Sequence, residues 1–170
     1  MHLHLTDDQG WRLQIPELPR LETVGAHRPR SPADAPTASI SGSFSDDDIR
    51  RIVDFCASTG IQVVPEIDFP GHAGAILASY PDLACEPHLT PGVVPHEWGE
   101  LPYSLCLRDE SATRRSLAFA KTVLLRVAKL FPQSTTPYIH LGGDEVPHDV
   151  PGQQIVAFFS HLFTFLKEDL

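Results

Sequence analysis

The order strand, loop, helix occurs three times along this 170-residue chain, and this order limits the folds that it can adopt. Residues 1–6 alternate polar and apolar side chains, whereas residues 61–67 and 137–141 are short and rich in β-branched or aromatic side chains. All three segments are therefore predicted strands. Because strands that alternate with helices are typical of βαβ units, we predict an α/β fold with a parallel sheet.

Three segments between and after these strands have the periodicity of amphipathic helices. The first begins with a capping box at residues 45–48 and ends near Gly60. The second begins at Asp109 or Ser111 and continues for about five turns, since its apolar side chains recur at helical spacing. The third covers residues 153–166 and is rich in phenylalanine.

Long loops and polar clusters follow the predicted strands. Proline-rich stretches at residues 28–44 and 80–107 are predicted loops. Polar side chains follow the strands at residues 6–8, 68–72 and 142–145, on the carboxyl side where α/β barrels and open α/β sheets place their active sites. A complete (β/α)8 barrel needs about 250 residues. Three βα units therefore predict a piece of a barrel or an unusual small α/β sheet.

The charge of the chain disfavours two classes of partner. It contains 22 acidic and 13 basic residues, which gives a formal charge of −9. We predict no nucleic-acid partner, because such proteins usually show a basic excess, and adsorption to an anionic membrane is disfavoured for the same reason. No apolar run approaches the ~20 residues of a membrane span.

The three cysteines do not form a zinc motif. Cys56, Cys85 and Cys106 contain no C-x-x-C spacing, so the common structural zinc sites are not expected. Cys56 lies on an apolar helix face and is a predicted core residue. The spacing of Cys85 and Cys106 allows a disulfide across the second loop in an oxidising environment. The first residues lack the pattern of a signal peptide, which leaves the compartment undetermined.

The segment that ends the third strand has the strongest chemical signal. Gly142 and Gly143 allow the backbone to turn tightly after His140, and Asp144 and Glu145 follow directly. Two adjacent carboxylates raise each other's pKa because their charges repel, and a carboxyl that stays protonated can act as a general acid. The alternative is that these acids begin a helix, where the dipole favours them.

Histidines in the other two clusters allow more than one interpretation. His72 follows a stiff Pro-Gly turn at the end of the second strand, which favours a role in the site over a purely structural one. Alternation places His2 and His4 on one face of the first strand, where they are either hydrogen-bonded interior residues or metal ligands with His72 or His140. The metal hypothesis predicts a metal-dependent hydrolase.

Taken together, three motifs resemble the β-N-acetylhexosaminidases of glycoside hydrolase family twenty. The motifs are His-Leu-His-Leu-Thr-Asp-Asp-Gln-Gly-Trp-Arg at residues 2–12, Pro-Glu-Ile-Asp-Phe-Pro-Gly-His at 65–72 and His-Leu-Gly-Gly-Asp-Glu-Val-Pro at 140–147. They occur in the family's order, and parts of residues 80–107 are similar to its long loop. The resemblance covers residues 1 to about 147.

The resemblance implies a fold, a reaction and a class of substrate. The family fold is a (β/α)8 barrel, and the motifs map onto barrel strands two to four, so that residues 1–170 would form one incomplete catalytic domain. The implied reaction removes terminal β-linked N-acetylglucosamine or N-acetylgalactosamine from chitooligosaccharides, glycoproteins or glycolipids. The acetamido oxygen of the substrate is the nucleophile and an oxazolinium ion is the intermediate. No metal or other cofactor is implied.

The resemblance also assigns roles to individual residues. Glu145 matches the general acid, and Asp144 matches the residue that orients the acetamido group. His72 supports the acid and is braced by an aspartate, for which Asp7 is favoured and Asp8 stays open.

Four residues are predicted to bind substrate or to line its site: Asp68, Asp8, His140 and Trp11. Trp11, like Trp98, is either a platform on which a sugar stacks or a packed anchor of its loop. Leu3 replaces the usual aromatic residue, and residues 149–152 depart from the family pattern. The alternative to an active enzyme is an inactive fragment with weak sugar binding; a homo-oligomer is left open. Relatives in the family act in lysosomal, periplasmic or extracellular settings.

Overall fold

The computed structural model describes residues 1–30 and 39–168 of the chain. The strands are β1 (His2–His4), β2 (Thr6–Asp7), β3 (Gly10–Trp11), β4 (His27–Pro29), β5 (Ser39–Ser41) and β6 (Val64–Glu66), and the α-helices are α1 (Asp46–Ser58), α2 (Gly74–Ser79), α3 (Glu110–Leu130) and α4 (Gly152–Glu168). The predicted α/β class is confirmed. Within the described ranges, each helix is too short or too polar to span a bilayer.

The strand β6 is the centre of a small parallel sheet. β1 pairs with it in parallel, so that His2, Leu3 and His4 lie opposite residues 64, 65 and 66. On the opposite edge of β6, His140 forms a parallel bridge to Glu66. The carboxyl-terminal ends of all three segments consequently lie at the same end of the sheet. The polar clusters that follow them converge there.

The third predicted strand is much shorter than residues 137–141. Only its last part reaches β6: His140 donates its N–H to the Pro65 carbonyl at 2.9 Å, and the Leu141 carbonyl accepts from the Phe69 N–H at 3.1 Å. The chain then turns away at Gly142, which has a φ of 66°. The prediction of a full strand was therefore wrong, because the ladder ends at this turn after a single bridge.

The predicted helix boundaries are confirmed with small shifts. At the start of α1, the Ser45 hydroxyl accepts from the Asp48 N–H while the Asp48 carboxylate accepts from the Ser45 N–H, which is the predicted capping box. Asp109 rather than Ser111 caps α3, because its carboxylate accepts from the Ala112 N–H at 2.9 Å. The last helix, α4, begins one residue earlier than predicted and extends two residues further.

Several elements lie outside the three strands and three helices that the sequence predicted. All six residues of α2 are buried, so the sequence shows no alternation of polar and apolar faces there. β4 and β5 pair antiparallel within the proline-rich stretch 28–44. Residues 31–38 of that stretch lie outside the described residues. Short π and 3₁₀ turns occur at Leu21–Gly25, Pro81–Leu83 and Pro87–Leu89.

Aromatic side chains join the helices to the loops that carry the polar clusters. The ring of Phe119 on α3 lies 6.4 Å from that of Trp11 and 6.4 Å from that of Phe69, measured between centroids. Phe158 on α4 also packs against Phe69, with 6.4 Å between the ring centroids. All but Phe119 are fully buried, and Cys56 is also a core residue, as predicted. The loops after β1 and β6 are thus fixed to a rigid core.

A disulfide closes the long loop after α2. Cys85 and Cys106, which are 21 positions apart in sequence, are bonded. We expect the Cys85→Ser/Cys106→Ser variant to lose about 3 kcal/mol of unfolding free energy, because the open loop gains entropy in the unfolded chain. Urea unfolding measures the loss. Reductant should reproduce it in the parent chain and change nothing in the variant; equal stability of the two chains would contradict the prediction.

Candidate functional site

The loops after β1, β6 and His140 bring the three polar clusters together. The Leu5 N–H donates to the Glu66 carbonyl at 3.1 Å, which fixes the start of the first loop to the end of β6. The Ile67 N–H donates to the His140 carbonyl at 3.0 Å on the other edge. Since the three strands are parallel, their loops leave the sheet in one direction.

The imidazole of His72 is the centre of this site. Its Nδ1 atom lies 3.2 Å from an Asp7 oxygen and 3.3 Å from an Asp8 oxygen. Its Nε2 atom lies 3.6 Å from Glu145 and 3.8 Å from Asp144. The side chain is 13% exposed, and its residue has a φ of 46°. Both ring nitrogens therefore face carboxylates: Nδ1 faces Asp7 and Asp8, and Nε2 faces Asp144 and Glu145.

Asp8 holds the imidazole of His72 from the buried side of the site. Its carboxylate is buried and accepts a hydrogen bond from the Gly74 N–H at 2.7 Å. Its side chain is only 1% exposed, which favours the bracing role left open for Asp8, and its contact with substrate stays a prediction. Asp7 and Asp8 approach the same ring nitrogen at nearly equal distances, so the structure assigns a share of the bracing to each.

Asp68 has a similar buried position beneath the turn that carries the adjacent acids. Its carboxylate accepts from the Gly143 N–H at 3.1 Å, and its own N–H donates to the Thr6 hydroxyl at 2.8 Å. Its second oxygen has no hydrogen-bond partner among the described residues and lies 4.0 Å from His72. Because Asp68 is buried, the structure favours a supporting role over direct contact with substrate, and its contact with substrate stays a prediction.

The turn at residues 142–145 presents the two adjacent carboxylates to solvent. Gly142, Gly143 and Glu145 all have positive φ values, of 66°, 104° and 48°. The Asp144 side chain is 67% exposed and that of Glu145 is 46% exposed. The alternative that these acids begin a helix is wrong, because α4 begins only at Gly152.

Trp11 does not take part in the site. It is fully buried against Phe119, and its Nε1–H donates to the Leu13 carbonyl. The prediction that Trp11 contacts substrate is therefore wrong, and its alternative role as a packed anchor is confirmed. Trp98, in contrast, is 93% exposed.

A second group of polar side chains lies further down the same sheet. The two oxygens of buried Glu66 are 2.5 Å from the His2 Nε2 atom and 3.0 Å from the His140 Nδ1 atom. His140 Nδ1 also accepts from the Gly142 N–H at 3.1 Å when it carries no proton. Ligand atoms of the three residues lie within 4.8 Å of one another, which could hold a metal ion. Both imidazoles contact the buried Glu66 carboxylate. Contact of His140 with substrate stays a prediction.

Burial and neighbouring charges shift the pKa values of three side chains in the site. Burial raises the pKa of Asp8 to about 6, against the hydrogen bond from Gly74. Burial also raises the pKa of Asp68 to about 6, and the charge of Asp144 adds to the increase. Burial lowers the pKa of His72, but the surrounding carboxylates outweigh it and the net pKa is raised above 6.5.

These shifts predict that acidification stabilises the chain. Between their unfolded pKa of 3.8 and their folded pKa of about 6, Asp8 and Asp68 bind more protons when folded, so stability falls as pH rises through 6. The contribution of His72 is lost as pH rises through its raised pKa. We expect a higher melting temperature near pH 5 than near pH 8. Asp68→Asn should flatten this dependence, and an unchanged slope in that variant would contradict the assignment.

Comparison with known proteins identifies relatives of this chain. Residues 1–157 match the sequence model of the glycosyl hydrolase family 20 catalytic domain. A beta-hexosaminidase of Porphyromonas gingivalis is 40% identical over 149 residues, which are 87% of this chain and 17% of that protein. A beta-N-acetylhexosaminidase of Cellulomonas fimi is 38% identical over 149 residues, covering 86% of this chain and 26% of the relative.

Solved structures give the same result for the fold. The family 20 beta-N-acetylhexosaminidase of Streptomyces coelicolor A3(2) superposes with a TM-score of 0.74 at 36% identity. That superposition covers 98% of this chain and 31% of the Streptomyces chain. The chain thus spans about a sixth to a third of the length of the relatives cited.

Proposed function

Because this chain belongs to glycosyl hydrolase family 20, we propose that its described residues carry the acid–base machinery of a β-N-acetylhexosaminidase. The reaction removes a terminal β-linked N-acetylhexosamine from a glycan. One observation supports the proposal most directly: Asp144 and Glu145 both face the Nε2 atom of a His72 that two aspartates brace. We also propose that β1, β6 and the segment at His140 are strands two to four of a (β/α)8 barrel, which the parallel neighbours of β6 support.

In the first step, the substrate supplies its own nucleophile. Its acetamido oxygen forms a bond to the anomeric carbon while the bond from that carbon to the glycosidic oxygen breaks. Glu145, as a carboxylic acid, gives its proton to the departing oxygen. Asp144, as a carboxylate, accepts the acetamido N–H and stabilises the positive charge that develops on the oxazolinium ion. Adjacent positions suit the two acids, since one carries a proton while the other stays anionic.

In the second step, water opens the oxazolinium ion. Glu145, now a carboxylate, takes a proton from the attacking water, and the sugar leaves with the configuration of its anomeric carbon retained. His72 lies 3.6 Å from Glu145, close enough for its positive charge to stabilise that carboxylate between the steps. The bracing by Asp7 and Asp8 keeps the imidazole both charged and oriented.

Release of a chromophore from an aryl N-acetyl-β-glucosaminide tests the activity. A sugar thiazoline with the bicyclic shape of the oxazolinium ion tests the site itself, because an analogue of the intermediate binds where that ion is stabilised. We expect the chain to bind the thiazoline and Asp144→Asn to weaken binding at least tenfold. Failure of the parent chain to bind it would overturn the proposal, as would turnover that a metal chelator abolishes.

A further inference from the structure

We propose that His2, Glu66 and His140 form a binding site for a divalent transition-metal ion, zinc in the experiment below. We further propose that the bound ion weakens the turn at residues 142–145, which presents the two adjacent acids. The ion is an inhibitory ligand and not a cofactor of the proposed reaction. Its three ligands are different residues from the carboxylates that surround His72.

The set of donor atoms is the first observation. The Glu66 carboxylate lies between two imidazoles: its oxygens are 2.5 Å from His2 Nε2 and 3.0 Å from His140 Nδ1. Among the described residues, four groups have three ligand atoms within 4.8 Å of one another, and this group is the one with two histidines. Two imidazoles and a carboxylate are a common ligand set for zinc, whereas magnesium and calcium prefer oxygen. The group therefore favours a transition metal.

The second observation is that two neighbours of the His140 Nδ1 atom require opposite protonation states. The Gly142 N–H lies 3.1 Å from it and can donate only to an Nδ1 atom without a proton. A Glu66 oxygen lies 3.0 Å away and can accept only from an Nδ1–H group. Either state satisfies one neighbour and leaves the other unsatisfied. A metal ion removes the conflict with Glu66, because the lone pair and the carboxylate can both bind it.

The geometry admits the ion after small movements. Zinc at about 2.1 Å from each donor holds tetrahedral ligand atoms about 3.4 Å apart. The contacts of Glu66 with the two imidazoles are shorter, so each ring must move outward by less than about 1 Å. The side chains of His2 and His140 are 54% and 51% exposed, and the solvent side allows this movement. The same open side leaves the fourth zinc position to water.

The lone pair of His140 connects the ion to the turn. When the Nδ1 atom binds zinc, it cannot also accept from the Gly142 N–H. The hydrogen bond from the Gly143 N–H to Asp68 remains, but the turn loses the one that precedes it. Bound zinc therefore destabilises the conformation that presents Asp144 and Glu145. Because such coupling is reciprocal, a ligand of those acids must weaken zinc binding by the same factor.

Zinc binding is measured by calorimetry on the full chain after treatment with a chelator. We expect one zinc ion per chain and no binding of magnesium. His2→Gln and His140→Gln should each weaken zinc binding at least tenfold, because each variant lacks one ligand. His88→Gln is the matched control, since it also removes an exposed imidazole near a carboxylate, 3.9 Å from Glu86, and should bind zinc as the parent chain does. Melting temperatures without zinc verify that each variant is folded.

The effect on the turn is measured with the sugar thiazoline. Saturating zinc should weaken thiazoline binding about fivefold, as expected for the loss of one hydrogen bond, and a chelator should restore it. In His2→Gln the hydrogen bond from Gly142 is retained, so the same zinc concentration should leave thiazoline binding unchanged. Thiazoline should in turn weaken zinc binding about fivefold in the parent chain.

Zinc binding that is unchanged in both His2→Gln and His140→Gln would overturn the inference. Loss of zinc binding in His4→Gln but not in His2→Gln would also overturn it, because the ion would then lie between His4, Glu66 and Asp68. Equal thiazoline affinity with and without zinc would overturn the coupling to the turn. Zinc binding as expected in a chain that binds no thiazoline would support the metal site and overturn the proposed function instead.

Discussion

Replacing Glu145 by glutamine is expected to slow the release of a poor leaving group by roughly 100- to 10,000-fold. Glutamine has nearly the same shape as glutamate but has no proton to give, so the departing oxygen must leave as an anion. The expected loss is smaller for a dinitrophenyl glycoside, because that leaving group is stable as an anion and needs little protonation. Steady-state rates for phenyl and dinitrophenyl N-acetyl-β-glucosaminides measure the difference.

Asp144→Asn is the matched control for this prediction. It changes the neighbouring acid in the same way, but it removes the charge that stabilises the oxazolinium ion and should slow both leaving groups alike. Thiazoline binding separates the variants again, because Glu145→Gln should retain it and Asp144→Asn should weaken it. Equal slowing of both substrates by Glu145→Gln would contradict the role of Glu145 as the general acid.

Much of this site could be predicted from the sequence because its residues follow strand ends. Asp144, Glu145 and His72 each come within five residues of the end of a predicted strand, and parallel strands bring such positions to the same end of a sheet. The structure places the carboxylates of Asp144 and Glu145 within 4 Å of the His72 imidazole. The sequence could not decide between Asp7 and Asp8, since neighbouring residues in a turn have no fixed direction; both approach His72.

The residues that support the site could not be assigned in the same way. Asp68 and Asp8 follow strand ends just as the exposed acids do, but in the structure both are buried, and their carboxylates accept from the N–H groups of Gly143 and Gly74. Trp11 has the composition of a sugar platform, yet Phe119 on a helix that begins about a hundred residues later covers it. The short helix α2 was missed for a related reason, because complete burial removes the amphipathic pattern by which helices are predicted.

Gly142→Ala is expected to cost about 4 kcal/mol of unfolding free energy and to abolish thiazoline binding. Residue 142 has a φ of 66°, which strains any side chain, and a Cβ atom there would lie 1.7 Å from a carboxylate oxygen of Asp68. Asp68 would have to move, and its hydrogen bond from the Gly143 N–H would break inside the protein. Urea unfolding and thiazoline calorimetry measure the two losses.

The Gly60→Ala variant distinguishes the effect of backbone strain from the effect of a collision with Asp68. Gly60 has a similar φ of 73°, but a Cβ atom there meets no other atom within 4 Å. Its substitution by alanine should therefore lower the unfolding free energy by only about 1 kcal/mol, which is the cost of the backbone strain alone. Thiazoline binding should stay unchanged, because Asp68 is not displaced. If both alanine variants lost equal stability, the buried carboxylate of Asp68 would not be what requires glycine at 142. If only Gly142→Ala lost binding, the turn that presents Asp144 and Glu145 would depend on the contact between Asp68 and Gly143.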